Sequence, residues 1–151
     1  MRERKAPIHV PPVDSATRPV LVMLTVCTDG RRPLLANDTA HALIRSAWTR
    51  ADAWKVGRYC IMPDHIHAFV SPAEEIALER WVAFFKSLVS REWPELRDQP
   101  IWQRSFWDRQ LRSTESYGEK WLYVQVNPVR HGLVEASENW PFQGTMNRLS
   151  W

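Results

Sequence analysis

Cysteine is scarce in this chain of 151 residues: the two present, Cys27 and Cys60, both fall in apolar stretches that read as strands. Two core thiols exclude a disulfide framework and point to a reducing, cytoplasmic compartment. No apolar run reaches the roughly 20 residues needed to span a bilayer, and the N-terminus lacks the apolar segment of a secretory signal, so neither membrane anchorage nor export is expected. Internal repeats and low-complexity tracts are absent. What remains is one domain of ordinary size, long enough to bury a core without staples. Lysines are few beside arginines, and the net charge is only +3. That mild excess permits a nucleic-acid partner without requiring one. The chain has three tyrosines, Tyr59, Tyr117 and Tyr123, so any tyrosine-based chemistry has few places to reside. Tryptophan, in contrast, is abundant: nine exceed the usual needs of such a core, and although most serve packing, some could be platforms on which unpaired bases stack.

Residues 1–19 carry Arg2, Arg4 and Lys5 and then four prolines without apolar periodicity, which predicts a flexible basic arm ahead of a single domain over 20–151. Val20–Thr28 reads as a strand turned by Asp29-Gly30. Asn37 can cap a helix whose apolar residues Ala40, Leu43, Ile44, Ala47, Trp48 and Ala51 recur at spacings of three and four. Val56–Met62 makes a second strand, and Pro63-Asp64 returns the chain as a third. Between Glu74 and Trp93 another apolar stripe, Leu78, Trp81, Val82, Phe85, Leu88 and Val89, predicts a second helix. Ile101–Leu111 reads as a fourth strand with Trp102, Arg104 and Phe106 on one face, and a third helix capped by Ser113 runs from about Thr114 to Val126. Pro128–Trp140 is expected to be irregular. The order strand, helix, strand, strand, helix, strand fits an α+β, ferredoxin-like split β-α-β fold: an antiparallel sheet with two helices on one face and the third helix left to cover the other.

The third strand opens Asp64-His65-Ile66-His67-Ala68-Phe69-Val70. Side chains alternate along a strand, so His65 and His67 project together from one face while Ile66, Ala68 and Val70 face a core. That is a two-point metal geometry. Tyr123 and Asn127, four apart in the third helix, would share a helix face. Met62-Pro63-Asp64-His65-Ile66-His67, Lys86, Trp102-Gln103 with Phe106, and Tyr123 through Val134 with Asn127-Pro128-Val129-Arg130 together resemble the HUH endonucleases, and within them the single-tyrosine, REP-associated tyrosine transposases, over about Val20–Pro141.

This resemblance implies a metal-dependent single-strand DNA endonuclease and strand transferase. Tyr123 would be the nucleophile, forming a 5′-phosphotyrosine with a free 3′-hydroxyl at hairpin-forming repeats. His65 and His67 would hold a divalent cation with Asn127 as third ligand, and this mixed nitrogen and oxygen set suits Mg²⁺ or Mn²⁺. Asp64 could orient an imidazole from behind. Lys86, Trp102, Arg104, Arg112, Lys120 and Arg130 are the candidate DNA contacts. Tyr117 groups with Trp121 and Val124 as core, and His131, His9 and His41 read as histidines outside the site. The partner implied is single-stranded, palindromic DNA, with the protein acting as monomer or homodimer. Two other readings share the scaffold: a hairpin-binding module that does not cleave, and a rolling-circle replication initiator or relaxase.

Overall fold

The computed structural model describes residues 3–4, 20–112 and 115–149. Its elements are β1 (Glu3–Arg4), β2 (Val22–Cys27), α1 (Asp38–Arg50), β3 (Trp54–Ile61), β4 (His65–Pro72), α2 (Leu78–Glu92), β5 (Phe106–Gln110), α3 (Tyr117–Gln125), α4 (Asn127–Arg130) and β6 (Gln143–Thr145). All strands pair antiparallel in the order β1-β5-β2-β4-β3-β6. The four long strands therefore form the expected split β-α-β sheet, with β4, the histidine strand, central between β2 and β3. Apart from Glu3–Arg4, which pairs with β5, the arm expected at residues 1–19 lies outside the described residues. Among the described residues no helix is long and apolar enough to cross a membrane.

Alternation along the strands builds two cores. Val22, Leu24 and Val26 of β2 and Ile66, Ala68 and Val70 of β4 face α1 and α2, meeting Ile44, Trp48, Trp81, Val82 and Phe85. Burying a side chain the size of Phe85 contributes about 2–3 kcal/mol. Asn37 caps α1 as expected, its side-chain oxygen accepting the Ala40 N–H at 2.9 Å. On the opposite face Leu21, Cys60, Met62 and Phe69 pack under Trp121 and Val124 of α3 and under Trp140. The Tyr117 ring lies 5.0 Å from that of Phe69, and its hydroxyl accepts the Arg58 N–H at 2.9 Å, so Tyr117 belongs to the core, as expected.

Three boundaries differ from the sequence reading. β5 begins at Phe106, not Ile101, because Lys86 takes the Gln103 carbonyl and the Trp102 indole turns into the core against Phe85. α3 is capped by Ser116, whose hydroxyl accepts the Glu119 N–H; the sequence Ser116-Tyr-Gly-Glu119 is a capping box, and the expected cap Ser113 lies outside the described residues. Past Gln125 the chain restarts as α4, so the stretch from Pro128, expected to be irregular, begins with a helical turn, since Pro128 has no N–H to continue the α3 ladder; beyond Trp140 the tail forms β6 against β3.

α3 approaches the sheet at a bulge in β3 between Val56 and Tyr59. A Cβ on Gly57 would come within 2.5 Å of the Tyr117 hydroxyl oxygen and 2.7 Å of Leu149. Gly57→Ala is expected to cost about 1–3 kcal/mol by forcing α3 off the sheet, read as a lowered urea midpoint; an unchanged midpoint would mean the helix is not seated there.

Candidate active site

Two turns meet at the mouth of β4. The Thr28 N–H donates to the Asp64 carbonyl at 3.0 Å, and the Met62 N–H closes the Pro63-Asp64 turn on the His65 carbonyl at 2.7 Å. Register places His65 beside Cys27 and His67 beside Thr25 of β2. The imidazoles emerge on the α3 face, as the alternation requires, with ring centroids 4.7 Å apart and planes nearly perpendicular.

Each ring is held from behind. His65 Nδ1 lies 2.7 Å from Asp64 Oδ1, and His67 Nδ1 lies 3.0 Å from Thr25 Oγ1. An ionised carboxylate only accepts, so His65 carries its proton on Nδ1 and its lone pair on Nε2. Neither Nε2 has a hydrogen-bond partner among the described residues. Asp64 is clamped in turn by Arg31 Nε at 3.0 Å. Burial pushes the Asp64 carboxyl up, but the His65 and Arg31 contacts outweigh it and hold the group below its ordinary range.

Burial lowers the His65 pKa despite the neighbouring carboxylate. His67 is pushed down to about 3, first by burial and then by the positive charges of His65, Arg130, Arg31 and His131. Both imidazoles are thus neutral at physiological pH, the form that ligates metals. Arg130 and His131 belong to α4 and its end, so that segment lies beside the pair. His131, read from the sequence as outside the site, donates from Nδ1 to the Asn127 carbonyl at 2.9 Å and lies near enough to couple electrostatically to both histidines.

Asn127 is buried at the start of α4, and its side-chain amide has no hydrogen-bond partner among the described residues. No three His, Cys, Asp or Glu side chains among them form a metal-binding group. A cation at the pair would therefore rest on two imidazoles with an uncharged oxygen as third protein ligand, and the unpartnered Asn127 amide fits that need.

Tyr123 is 64% exposed while Asn127 is buried, and the helix expected to carry both is divided between them, α3 ending at Gln125 and α4 beginning at Asn127. No hydrogen bond or ring contact joins Tyr123 to either histidine. The Arg130 guanidinium lies over the Tyr123 ring at 4.6 Å from its centroid and donates to the Tyr123 carbonyl at 2.9 Å. Arg130 is thus common to the tyrosine and to the field at His67.

The remaining candidate DNA contacts divide. Arg104 and Arg112 are exposed. Lys120 pairs with Glu115 at 3.0 Å, beside the Arg109 contact to the same carboxylate at 2.6 Å. Lys86 is tucked inward: its amine donates to the Gln103 carbonyl at 2.8 Å, and burial pushes its pKa down to about 8. Trp102 is buried, its indole N–H donating to the Lys86 carbonyl, so it packs the core and offers no face for base stacking. Sequence reasoning missed Arg31 and Thr25. Pairing the ends of β2 and β4 in register would have brought both to the histidines.

The family model for IS200-like transposases matches residues 19–124, a span that includes His65, His67 and Tyr123. The chain belongs to this family. Among IS200-like transposases it is similar to a Haemophilus influenzae protein assigned to the REP-associated tyrosine transposases, at 32% identity over 95 residues, 55% of this chain and 54% of that protein. It is also similar to the REP-associated tyrosine transposase of Escherichia coli, at 27% identity over 110 residues, 68% of this chain and 59% of that protein. The matches span a little over half the length of these curated relatives. The fold is shared with a REP-associated tyrosine transposase solved bound to a REP hairpin, with TM-score 0.71 and 21% identity over 95% of this chain and 81% of the other.

Because the folded His67 titrates at about 3 and the unfolded residue near 6.5, the unfolded chain binds the extra proton in between. This contribution to the stability of the metal-free protein is full above pH 6.5 and lost as the pH falls towards 3, with a slope of up to about 1.4 kcal/mol per pH unit. Urea midpoints at pH 7.5 and pH 5 should diverge, and His67→Gln should shrink the gap; an equal gap in the variant would assign the acid sensitivity elsewhere.

Proposed function

We propose that this transposase is a metal-dependent single-strand DNA endonuclease and strand transferase that acts on hairpin-forming repeats through a 5′-phosphotyrosine. The observation that carries this reading is the histidine pair: two neutral imidazoles on one strand face, each held at Nδ1, with neither Nε2 partnered among the described residues. The donor set of His65, His67 and the Asn127 amide suits Mn²⁺ or Mg²⁺, which when bound would act as a Lewis acid on the scissile phosphate.

In the proposed reaction the Tyr123 oxygen attacks phosphorus in line. The bond from phosphorus to the 3′-oxygen breaks, that oxygen leaves as a 3′-hydroxyl after taking a proton, and the phenol proton is lost. The ester conserves the energy of the broken bond, so a 3′-hydroxyl can reverse the step without ATP. The Tyr123 ring is exposed under Arg130 and so open to a phosphate arriving from solvent. Because α3 packs on its own sheet through Tyr117 and Trp121, we read the nucleophile as serving its own site. Single-stranded DNA with a hairpin is the partner proposed, in keeping with the hairpin bound by the solved relative, and the cytoplasm is the compartment.

The test is incubation with a 3′-end-labelled hairpin oligonucleotide carrying single-stranded flanks, with Mn²⁺ or chelator, resolved on a denaturing protein gel. A labelled protein band that needs Mn²⁺ is expected, absent in Tyr123→Phe while native-gel binding persists. His65→Ala combined with His67→Ala should lower Mn²⁺ affinity at least about tenfold in titration. Adduct in the phenylalanine variant would remove Tyr123 from its role. Tight binding with no adduct under any metal would favour a hairpin-binding module instead.

A further inference from the structure

Among the described residues Arg31 is the one non-glycine residue with a positive φ, at 55°, directly after Gly30 at 66°. Glycine supplies such a conformation freely, whereas a side chain with a Cβ is strained there. The turn after β2 could have used glycine or asparagine at both positions. Its backbone does not depend on the Arg31 side chain: the Arg31 N–H donates to the Thr28 carbonyl, the Thr28 hydroxyl donates to the Arg32 carbonyl at 2.8 Å, and the Arg32 guanidinium donates to the carbonyls of Asp29, Asp98 and Pro100. Nor does the Asp64 backbone need it, being held by the Thr28 N–H.

The Arg31 side chain is spent elsewhere. Its Nε donates to Asp64 Oδ2 at 3.0 Å, and its Nη2 approaches His65 Nδ1 at 3.5 Å. The guanidinium is half exposed, and an ion pair so placed adds little stability. Strain that returns no stability marks a site where orientation is being set.

We propose that Arg31 is a positioning residue: by clamping Oδ2 of Asp64 it directs Oδ1 onto His65 Nδ1 and so fixes the tautomer and ring plane of His65. A carboxylate has two oxygens, and here each has one assigned partner. Without Arg31 the Asp64 side chain, itself partly exposed, is free to turn into solvent. His65 then loses its fixed acceptor, and its proton can move to Nε2, which removes the lone pair from the outward edge. The consequence for metal affinity rests on the reading of the histidine pair as a metal site; the consequence for the tautomer does not.

Arg31→Gly, Asp64→Asn and the double variant separate these. In long-range ¹H–¹⁵N spectra of the metal-free protein, His65 should show the Nδ1–H tautomer in the wild type and a mixture of tautomers in Arg31→Gly. The Tm of Arg31→Gly should equal or exceed that of the wild type, because the left-handed position now holds glycine. Mn²⁺ affinity should fall about tenfold in either single variant, with no further loss in the double. An unchanged His65 tautomer, a Tm several degrees lower, or additive losses in the double variant would each overturn the proposal. A tautomer change in a protein whose wild type takes up no Mn²⁺ would uphold the positioning role while removing the metal reading.

Discussion

One central strand has to satisfy two chemistries at once, and the rest of the molecule is arranged around that constraint. β4 is hydrogen-bonded on both sides, to β2 and β3, so its side chains have no freedom to choose a face. Ile66, Ala68 and Val70 are committed to the core under α1 and α2, and the same alternation commits His65, His67 and Phe69 to the opposite face. A slip of one residue would send isoleucine outward and drive both imidazoles into the apolar layer. The hydrophobic core therefore acts as the register pin for the polar site. Phe69 continues the polar row into the second core, where Tyr117 and Trp121 of α3 meet it, so the histidine edge and the tyrosine helix are fastened to one strand.

Burial at this edge does electrostatic work. Desolvation strips the charge from His67, while Arg31 and Arg130 keep the surroundings positive. Neutral donors inside a cationic collar favour an anionic group that brings its own charge, and they disfavour a closed cage of acidic ligands. That balance suits the polyanionic substrate proposed for this site, which would approach from solvent.

Much of this was legible in the chain because it follows from period. The two sheet-packing helices, the hairpin with its histidines, the faces of β4 and the core role of Tyr117 all come from spacings of two or of three and four. What was hidden depends on contacts between segments far apart in sequence. The inward turn of Trp102 follows from Lys86 binding the Gln103 carbonyl, a bond across 17 positions. Most of the tryptophan abundance is packing, as expected: Trp48, Trp54, Trp81, Trp102, Trp121 and Trp140 are buried, while Trp93 and Trp107 are half-buried. Arg31 was invisible because nothing in Asp29-Gly30-Arg31 says that the turn will continue left-handed past its glycine. The capping box at Ser116, by contrast, was readable and was passed over for Ser113, a nearer serine without a glutamate three residues on. Tyr123 was read on a helix shared with Asn127; in the structure α3 ends at Gln125 and Asn127 opens α4 ahead of Pro128.

The tail has a bearing on how small a working unit can be. Similarity to the family model ends at residue 124, yet the Trp140 indole donates to the Ile61 carbonyl at 3.0 Å, the Phe142 carbonyl accepts from the Ile61 N–H at 2.8 Å, and β6 closes the edge of β3. Ile61 leads into the turn that delivers His65. A fragment trimmed to the homologous span would retain both histidines and the tyrosine while losing the wedge that keeps their hairpin upright. The structural module is thus longer than the span the family model matches, and transplanting the histidine hairpin to another scaffold would require carrying the chain at least through Thr145.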